Sequence, residues 1–331
     1  MRVLVLSHRD VVAALPPAAC AESMAAVLAA RARGETHMPL RSIMAPSGAA
    51  GIMGLMPGWR AARQDRAAVF ALKAICVIPG NPGRGLDAHQ GIVTLFDGET
   101  GVPTAILDAS AVTAVRTAAV SAVATDVLAR TQARTLAILG AGVQGRAHLQ
   151  ALAAVRDFTR VRVYAPTRAH AQALADDARP AGGEVRAVAT AEEAVRGADV
   201  VVAATNSPEP VLARAWLAPG AHVNAVGAST PRAREIDTAT VAASALFCDS
   251  RESLRNEAGE FQLAVREGAI AGEEHVRAEL GEVLAGSAPG RRDDGELTLF
   301  RSPGIAVEDL AAAETAVAAA RAQGLGTEVE L

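Results

Sequence analysis

A short apolar run, Leu4–Leu6, opens the chain. Ser7 and Asp10 then form a helix-start pair, and an amphipathic stretch follows from about Pro16 to Arg33, ended by Gly34. From Met38 to about Leu107 the texture changes. Apolar runs at Ser42–Ala45, Ala67–Ile78, Gly91–Phe96 and Val102–Leu107 alternate with turn clusters such as Pro79-Gly-Asn-Pro-Gly83 and Asp97-Gly-Glu-Thr-Gly101. Short runs punctuated in this way predict an antiparallel sheet. Asp108 to Arg130 is built almost wholly from small residues and predicts one long helix, suited to connect two domains because it can be packed on several sides.

At Thr135 the period changes again. The run Thr135–Leu139 leads into Gly140-Ala-Gly142-Val-Gln-Gly145 and a helical pattern through Ala154. Apolar runs at Val161–Tyr164, Val185–Val188 and Asp199–Thr205, another around Val223, and Ala245–Ser250 follow. Helical patterns lie at Ala169–Ala178 and near Ala191–Arg196. Near-continuous apolar strands alternating with helices predict a parallel sheet covered on both faces. Gly286–Asp294 reads as a surface loop. Leu297–Phe300 and the Ala-rich stretch Ile305–Gln323 read as a strand and a helix, with the chain returning to the first domain.

Composition narrows the class. A length of 331 residues fits two domains, and 50% hydrophobic with only 3% aromatic content suits close helix–sheet packing. A net charge of −4 gives no footprint for nucleic acid. Cys20, Cys76 and Cys248 are scattered, without metal-site or CxxC spacing, and read as reduced core residues. No secretory signal is read at the N-terminus, and no apolar run reaches spanning length without Gly, Pro or charge. A cytoplasmic location without a membrane partner is the expectation.

Gly140, Gly142 and Gly145 form GxGxxG after a strand and at a helix start, the context in which such a motif binds a dinucleotide. The first glycine allows the tight turn, the second lets the backbone approach a pyrophosphate, and the third lets helix and strand pack. Val143 and Gln144 lie between them, at the positive end of the helix. About twenty residues on, where an NAD site carries Asp or Glu, stands Ala165, followed by Pro166, Thr167 and Arg168. Thr167 and Arg168 suit a 2′-phosphate, so NADP(H) is preferred, with NAD(H) possible. Thr205, Asn206 and Ser207 are placed toward the nicotinamide half, with Val226 and Gly227 near the ring. The fold class is therefore α/β: a doubly wound Rossmann sheet at residues 121–302 and an α+β domain at 1–120, with 303–331 returning to it.

Three cations stand in unusual settings: Arg41 before a strand, Lys73 inside an apolar run, and Arg116 among small residues on the connecting helix. Lys73 is the sole lysine of the chain. A cation in an apolar segment needs a partner, either a bound carboxylate or an Asp or Glu of the fold. Met53, Met56 and Trp59 are candidate walls of a substrate pocket.

These pieces carry a resemblance. Pro39-Leu-Arg41, Leu72-Lys73, His89-Gln90, Thr113-Ala-Val-Arg116-Thr-Ala-Ala-Val-Ser-Ala, the GxGxxG segment, Asn224-Ala-Val-Gly227, Leu299-Phe300 and Val307-Glu308-Asp309 resemble the ornithine cyclodeaminase/mu-crystallin family along essentially the whole chain. The resemblance implies a homodimer joined through the first domain's sheet. It also implies that Arg41, Lys73 and Arg116 hold a substrate carboxylate beside the nicotinamide. True ornithine cyclodeaminases carry an aspartate where this chain has Ser229, and a serine hydroxyl takes no proton near neutral pH. Gly227-Ala-Ser229-Thr-Pro231 followed by Arg234-Glu-Ile-Asp237 is more like the mu-crystallin and ketimine reductase branch. That branch implies reduction of cyclic 2-carboxy imines, in agreement with the NADP(H) reading; Lys73, with His89 as the alternative, is the candidate proton source. The alternatives are an ornithine cyclodeaminase, an alanine dehydrogenase-like oxidoreductase, and a non-catalytic NADPH-dependent binder of small molecules.

Overall fold

The computed structural model describes residues 1–63, 66–178, 183–227 and 230–331. In chain order its strands are β1 (Arg2–Leu6), β2 (Thr36–His37), β3 (Ser42–Met44), β4 (Ile52–Arg60), β5 (Val69–Val77), β6 (His89–Asp97), β7 (Pro103–Asp108) and β8 (Thr135–Leu139). Then come β9 (Arg160–Tyr164), β10 (Glu184–Ala187), β11 (Val200–Ala203), β12 (His222–Ala225), β13 (Ala245–Cys248), β14 (Val276–Glu279), β15 (Thr298–Arg301) and β16 (Thr327–Glu330). The helices are α1 (His8–Ala14), α2 (Pro17–Ala32), α3 (Ala109–Leu128), α4 (Val143–Ala153), α5 (Arg168–Asp177) and α6 (Ala191–Val195). After them come α7 (Thr238–Ala243), α8 (Arg251–Glu257), α9 (Gly259–Arg266), α10 (Leu280–Leu284) and α11 (Ala306–Gln323).

Two compact units result, Met1–Arg116 with Ile305–Leu331, and Thr117–Gly304. One break falls inside α3, slightly before the position 120 read from sequence, and the other just before α11.

The first unit is built on a mixed sheet in the order β16-β1-β7-β6-β5-β4-β2, with β3 also on β4. Ser7 and Asp10 start α1 as a reciprocal capping box. The returning helix α11 packs on β4, β5 and β6 and against α1 and α2. Alternation along β5 puts Val69, Ala71, Lys73 and Ile75 on the buried face, with Phe70 on the other. Strand β4 was not read from sequence because Gly54, Pro57 and Gly58 interrupt its apolar run. A Cβ at Gly58 would meet Ala306, at the start of α11, at 3.4 Å, an ordinary van der Waals contact.

The second unit is an eight-stranded sheet, parallel throughout, in the order β10-β9-β8-β11-β12-β15-β13-β14. Its first five members repeat the Rossmann order, and helices packed on either face leave the central strands fully buried. The Leu297–Phe300 segment, as β15, lies within this sheet, and it is α11 and β16 after it that return to the first unit.

Helix α3 is long and apolar enough to cross a membrane by length and composition, yet 72% of its apolar window is buried inside the protein. Cys20 and Cys248 are buried, Cys76 is half-buried, and all three are free thiols.

Candidate active site

In the second unit, β8, β9, β11 and β12 end level with one another. Leu139 pairs with Tyr164 and Ala203, and Ala203 with Ala225. The segments at Gly140, Ala165–Arg168, Ala204–Asn206 and Val226–Gly227 therefore leave the sheet side by side at its carboxyl edge, where open α/β sheets bind ligands.

Gly140 has φ +106°, a conformation that favours glycine, and a Cβ there would stand 2.3 Å from the Ala204 carbonyl oxygen. A Cβ on Gly145 would stand 1.9 Å from the Gly140 carbonyl oxygen. Gly142 is different. Its φ of −81° suits any residue, and a Cβ there would meet nothing within 4 Å. Neither packing nor backbone geometry calls for a glycine at this helix N-cap, whereas close approach of a ligand does. Val143 opens α4, exposed, and the Oε1 of Gln144 is buried without a hydrogen-bond partner. At the end of β9, Thr167 N-caps α5 without using its side chain, and Arg168 is exposed. Among the described residues neither side chain makes a hydrogen bond or ion pair. Thr205 and Val226 are half-buried, and Asn206 is exposed. These residues fit a dinucleotide: a glycine-lined helix start for the pyrophosphate, and an uncommitted cation and hydroxyl at the ribose position.

The first unit gathers the candidate cations. Lys73 Nζ lies 2.6 Å from an Asp309 carboxylate oxygen, and Arg116 donates through Nε to Asp309 at 3.0 Å and through Nη1 to Glu308 at 2.8 Å. All four side chains are at most 6% exposed. Arg41, half-buried, is close enough for its charge to act on Lys73. These five side chains carry three positive charges and two negative ones.

The cluster sets its own titration. Burial lowers the Lys73 pKa, the Asp309 charge pulls it back, and Arg116 and Arg41 lower it again, from 10.5 to about 8. Burial alone would raise Asp309, but the Arg116 and Lys73 charges outweigh it and hold the carboxyl below its ordinary range. His89, the first residue of β6, keeps an accessible edge. Desolvation, then the Lys73 and Arg116 charges, push it below its usual 6.5 against the pull of Asp87. At neutral pH His89 is therefore the neutral member and Lys73 the protonated one.

The candidate pocket walls divide. Met56 sits opposite Lys73 on β4 and shares its buried face. Met53 and Trp59 are of the other parity and lie on the opposite face, where Trp59 meets Phe70. This corrects their reading as walls of the same pocket, because neighbours at odd spacing on a strand point apart. Ser229 lies outside the described residues.

The sequence pattern of the ornithine cyclodeaminase/mu-crystallin family matches residues 1–323. The chain belongs to this family. The mouse relative named ketimine reductase mu-crystallin is 37% identical over 281 residues, covering 85% of this chain and 84% of its own. A solved structure of Thermococcus litoralis Δ1-pyrroline-2-carboxylate reductase, in complex with NADH and L-proline, superposes with a TM-score of 0.94 at 35% identity, covering 99% of this chain and all of that one. An archaeal alanine dehydrogenase, a dimer with bound NAD, gives a TM-score of 0.93 at 30% identity over the full length of both chains. This member of the family is an NAD(P)-dependent oxidoreductase acting on C–N bonds.

Glu308 and Asp309 are legible in the sequence as a motif but not as partners of the cations. Two acids in the first turn of a helix are ordinarily explained by the helix dipole. The signal that sets these apart is their place at the head of an otherwise alanine-rich, buried helix.

Proposed function

We propose that this enzyme reduces cyclic imines bearing a 2-carboxylate, such as pyrroline-2-carboxylate or piperideine-2-carboxylate, with NADPH. The observation that carries the reading is the buried cluster of Lys73, Arg116, Glu308 and Asp309 with Arg41, whose net positive charge suits one substrate carboxylate. Arg116 and Arg41 bind that carboxylate. A guanidinium has five N–H donors, so holding internal carboxylates is compatible with binding a further one. Glu308 and Asp309 fix the Arg116 fork, which orients the ring. The nicotinamide, when bound, supplies a hydride to the imine carbon. Lys73 delivers a proton from Nζ to the imine nitrogen, so the C=N double bond becomes a C–N single bond with a new C–H and a new N–H, and Asp309 holds the ammonium in place until then. Burial keeps water from competing for that proton.

The choice of NADPH over NADH rests on the missing carboxylate after β9 and on the exposed Thr167–Arg168 pair. The homodimer reading rests on the sheet face turned away from α11. Leu55, Phe70 and Ile92 are exposed there, an apolar surface that a second copy of the chain would cover. Ser229 in place of an acid speaks against cyclodeamination of ornithine.

Initial rates test the proposal. Each imine is offered with NADPH and with NADH, beside L-ornithine with NAD. Imine-dependent oxidation of NADPH is expected, with no proline or ammonia from ornithine. Cyclodeamination without imine reduction would overturn the proposal.

A further inference from the structure

Glu235 takes no part in the chemistry above, yet its side chain is wholly buried. A buried carboxylate is costly unless donors match its oxygens. Two of the donors are backbone, and the Thr205 side chain adds a further hydrogen bond. The N–H of Thr205, just after β11, donates to Oε1, and the N–H of Gly227, just after β12, donates to Oε2 at 2.5 Å. Glu235 is itself held from behind. Its own N–H donates to Glu260 at 3.0 Å, and the other Glu260 oxygen accepts from Arg301 Nε at 2.8 Å. Arg301 in turn donates to the carbonyl of Ala225, the last residue of β12, at 3.1 Å. The Glu235 carbonyl accepts from the N–H of Val211 at 2.7 Å. Gly227 leaves no room for a side chain, since a Cβ would stand 2.0 Å from the Thr205 carbonyl oxygen and 2.5 Å from Glu235 Oε1. One carboxylate thus draws two adjacent strand-end loops together.

We infer that Glu235 is a positioning residue for the nicotinamide half of the cofactor, acting through the backbones of Thr205 and Gly227. The inference rests on the reading that these two loops receive that half. The clamp is complete without a ligand, so the loops are pre-organised and the cofactor does not have to order them on binding. Glu235→Gln keeps the shape of the side chain, but an amide has one acceptor oxygen and turns an NH2 group toward the second N–H. One loop loses its anchor.

The test uses the full-length protein and the E235Q variant. NADPH and NADH are titrated, each beside its fragment lacking nicotinamide, ADP-ribose 2′-phosphate or ADP-ribose, with calorimetric detection. The fragments are expected to bind both proteins within about twofold, whereas the whole cofactors bind the variant roughly tenfold or more weakly, the scale of a lost charge-assisted hydrogen bond. Equal weakening of fragment and cofactor would make Glu235 a support of the fold alone, and unchanged binding of both would remove it from cofactor positioning. Failure of the wild-type protein to bind either whole cofactor would strike the dinucleotide reading itself, and the inference with it. If E235Q does not fold, hydrogen exchange of the cofactor-free wild-type protein decides. Protected Thr205 and Gly227 amides support the clamp, and exchange at open-loop rates overturns it.

Discussion

The ammonium of Lys73 lies 2.6 Å from the Asp309 carboxylate, although the two residues come from opposite ends of the chain. Strand β5 turns Lys73 toward α11, and the first turn of that helix presents Asp309 to it and to Arg116. Burial, only partly offset by the Asp309 charge, holds the only lysine in the sequence at a pKa of about 8.

Lys73→Met is expected to lower kcat by about a hundredfold or more, in the range of lost general-acid catalysis. Dinucleotide affinity should stay within twofold, as checked by direct titration. Lys73 donates only while protonated, so in the wild-type enzyme the rate is expected to hold below pH 8 and fall above it. Burial also gives a stability effect of known sign. The folded lysine binds fewer protons than the unfolded one between about 8 and 10.5, so its contribution to stability rises with pH across that window.

Asp309→Asn removes the partner shared by Lys73 and Arg116. Breaking such a buried pair costs about 3–5 kcal/mol, which urea unfolding would measure. Asp309 raises the Lys73 pKa, so its loss is expected to move the alkaline limb of the rate profile to lower pH. An unmoved limb would mean that another group supplies the proton.

Gly142→Ala and Gly145→Ala separate ligand approach from packing. The first adds a methyl group in open space and should leave the melting temperature nearly unchanged while weakening dinucleotide binding strongly. The second drives a methyl group to 1.9 Å from the Gly140 carbonyl oxygen and should destabilise the fold itself.

Arg168→Ala is expected to narrow the preference for NADPH over NADH by roughly tenfold, the value of a charge-assisted contact to phosphate. The ratio of the two kcat/KM values reads this out. An unchanged ratio would mean that the 2′-phosphate is bound elsewhere, or that NADH is the working cofactor.

Phe70→Asp, on the open face of β5, places a charge on the apolar surface proposed for self-association. Light scattering should show loss of the dimer, with the secondary structure retained.

The parallel sheet was legible because its strands are continuous apolar runs and its glycine motif stands at a strand–helix junction. Gly140 and Gly145 then proved to be sterically compelled, and Gly142 was left for a ligand to explain. Strand β4 was illegible because its glycines and proline mimic a loop, and the charge alternation in β16 hides a sheet edge. Lys73, Arg41 and Arg116 drew notice as cations out of place. Their partners did not, because Glu308 and Asp309 look like ordinary first-turn acids, and only the return of α11 to the first unit brings them to Lys73. Glu235 was quoted as part of a branch motif. Nothing in its neighbours shows that its side chain would hold two strand ends.

Hydride delivery to the imine carbon is the central claim, and an isotope test reaches it most directly. The enzyme is given pyrroline-2-carboxylate and NADPH deuterated at both nicotinamide C4 positions, and the product is examined by mass spectrometry and NMR. Proline carrying one deuterium at C2 is the expected result. Proline without deuterium, or unchanged imine, would contradict it.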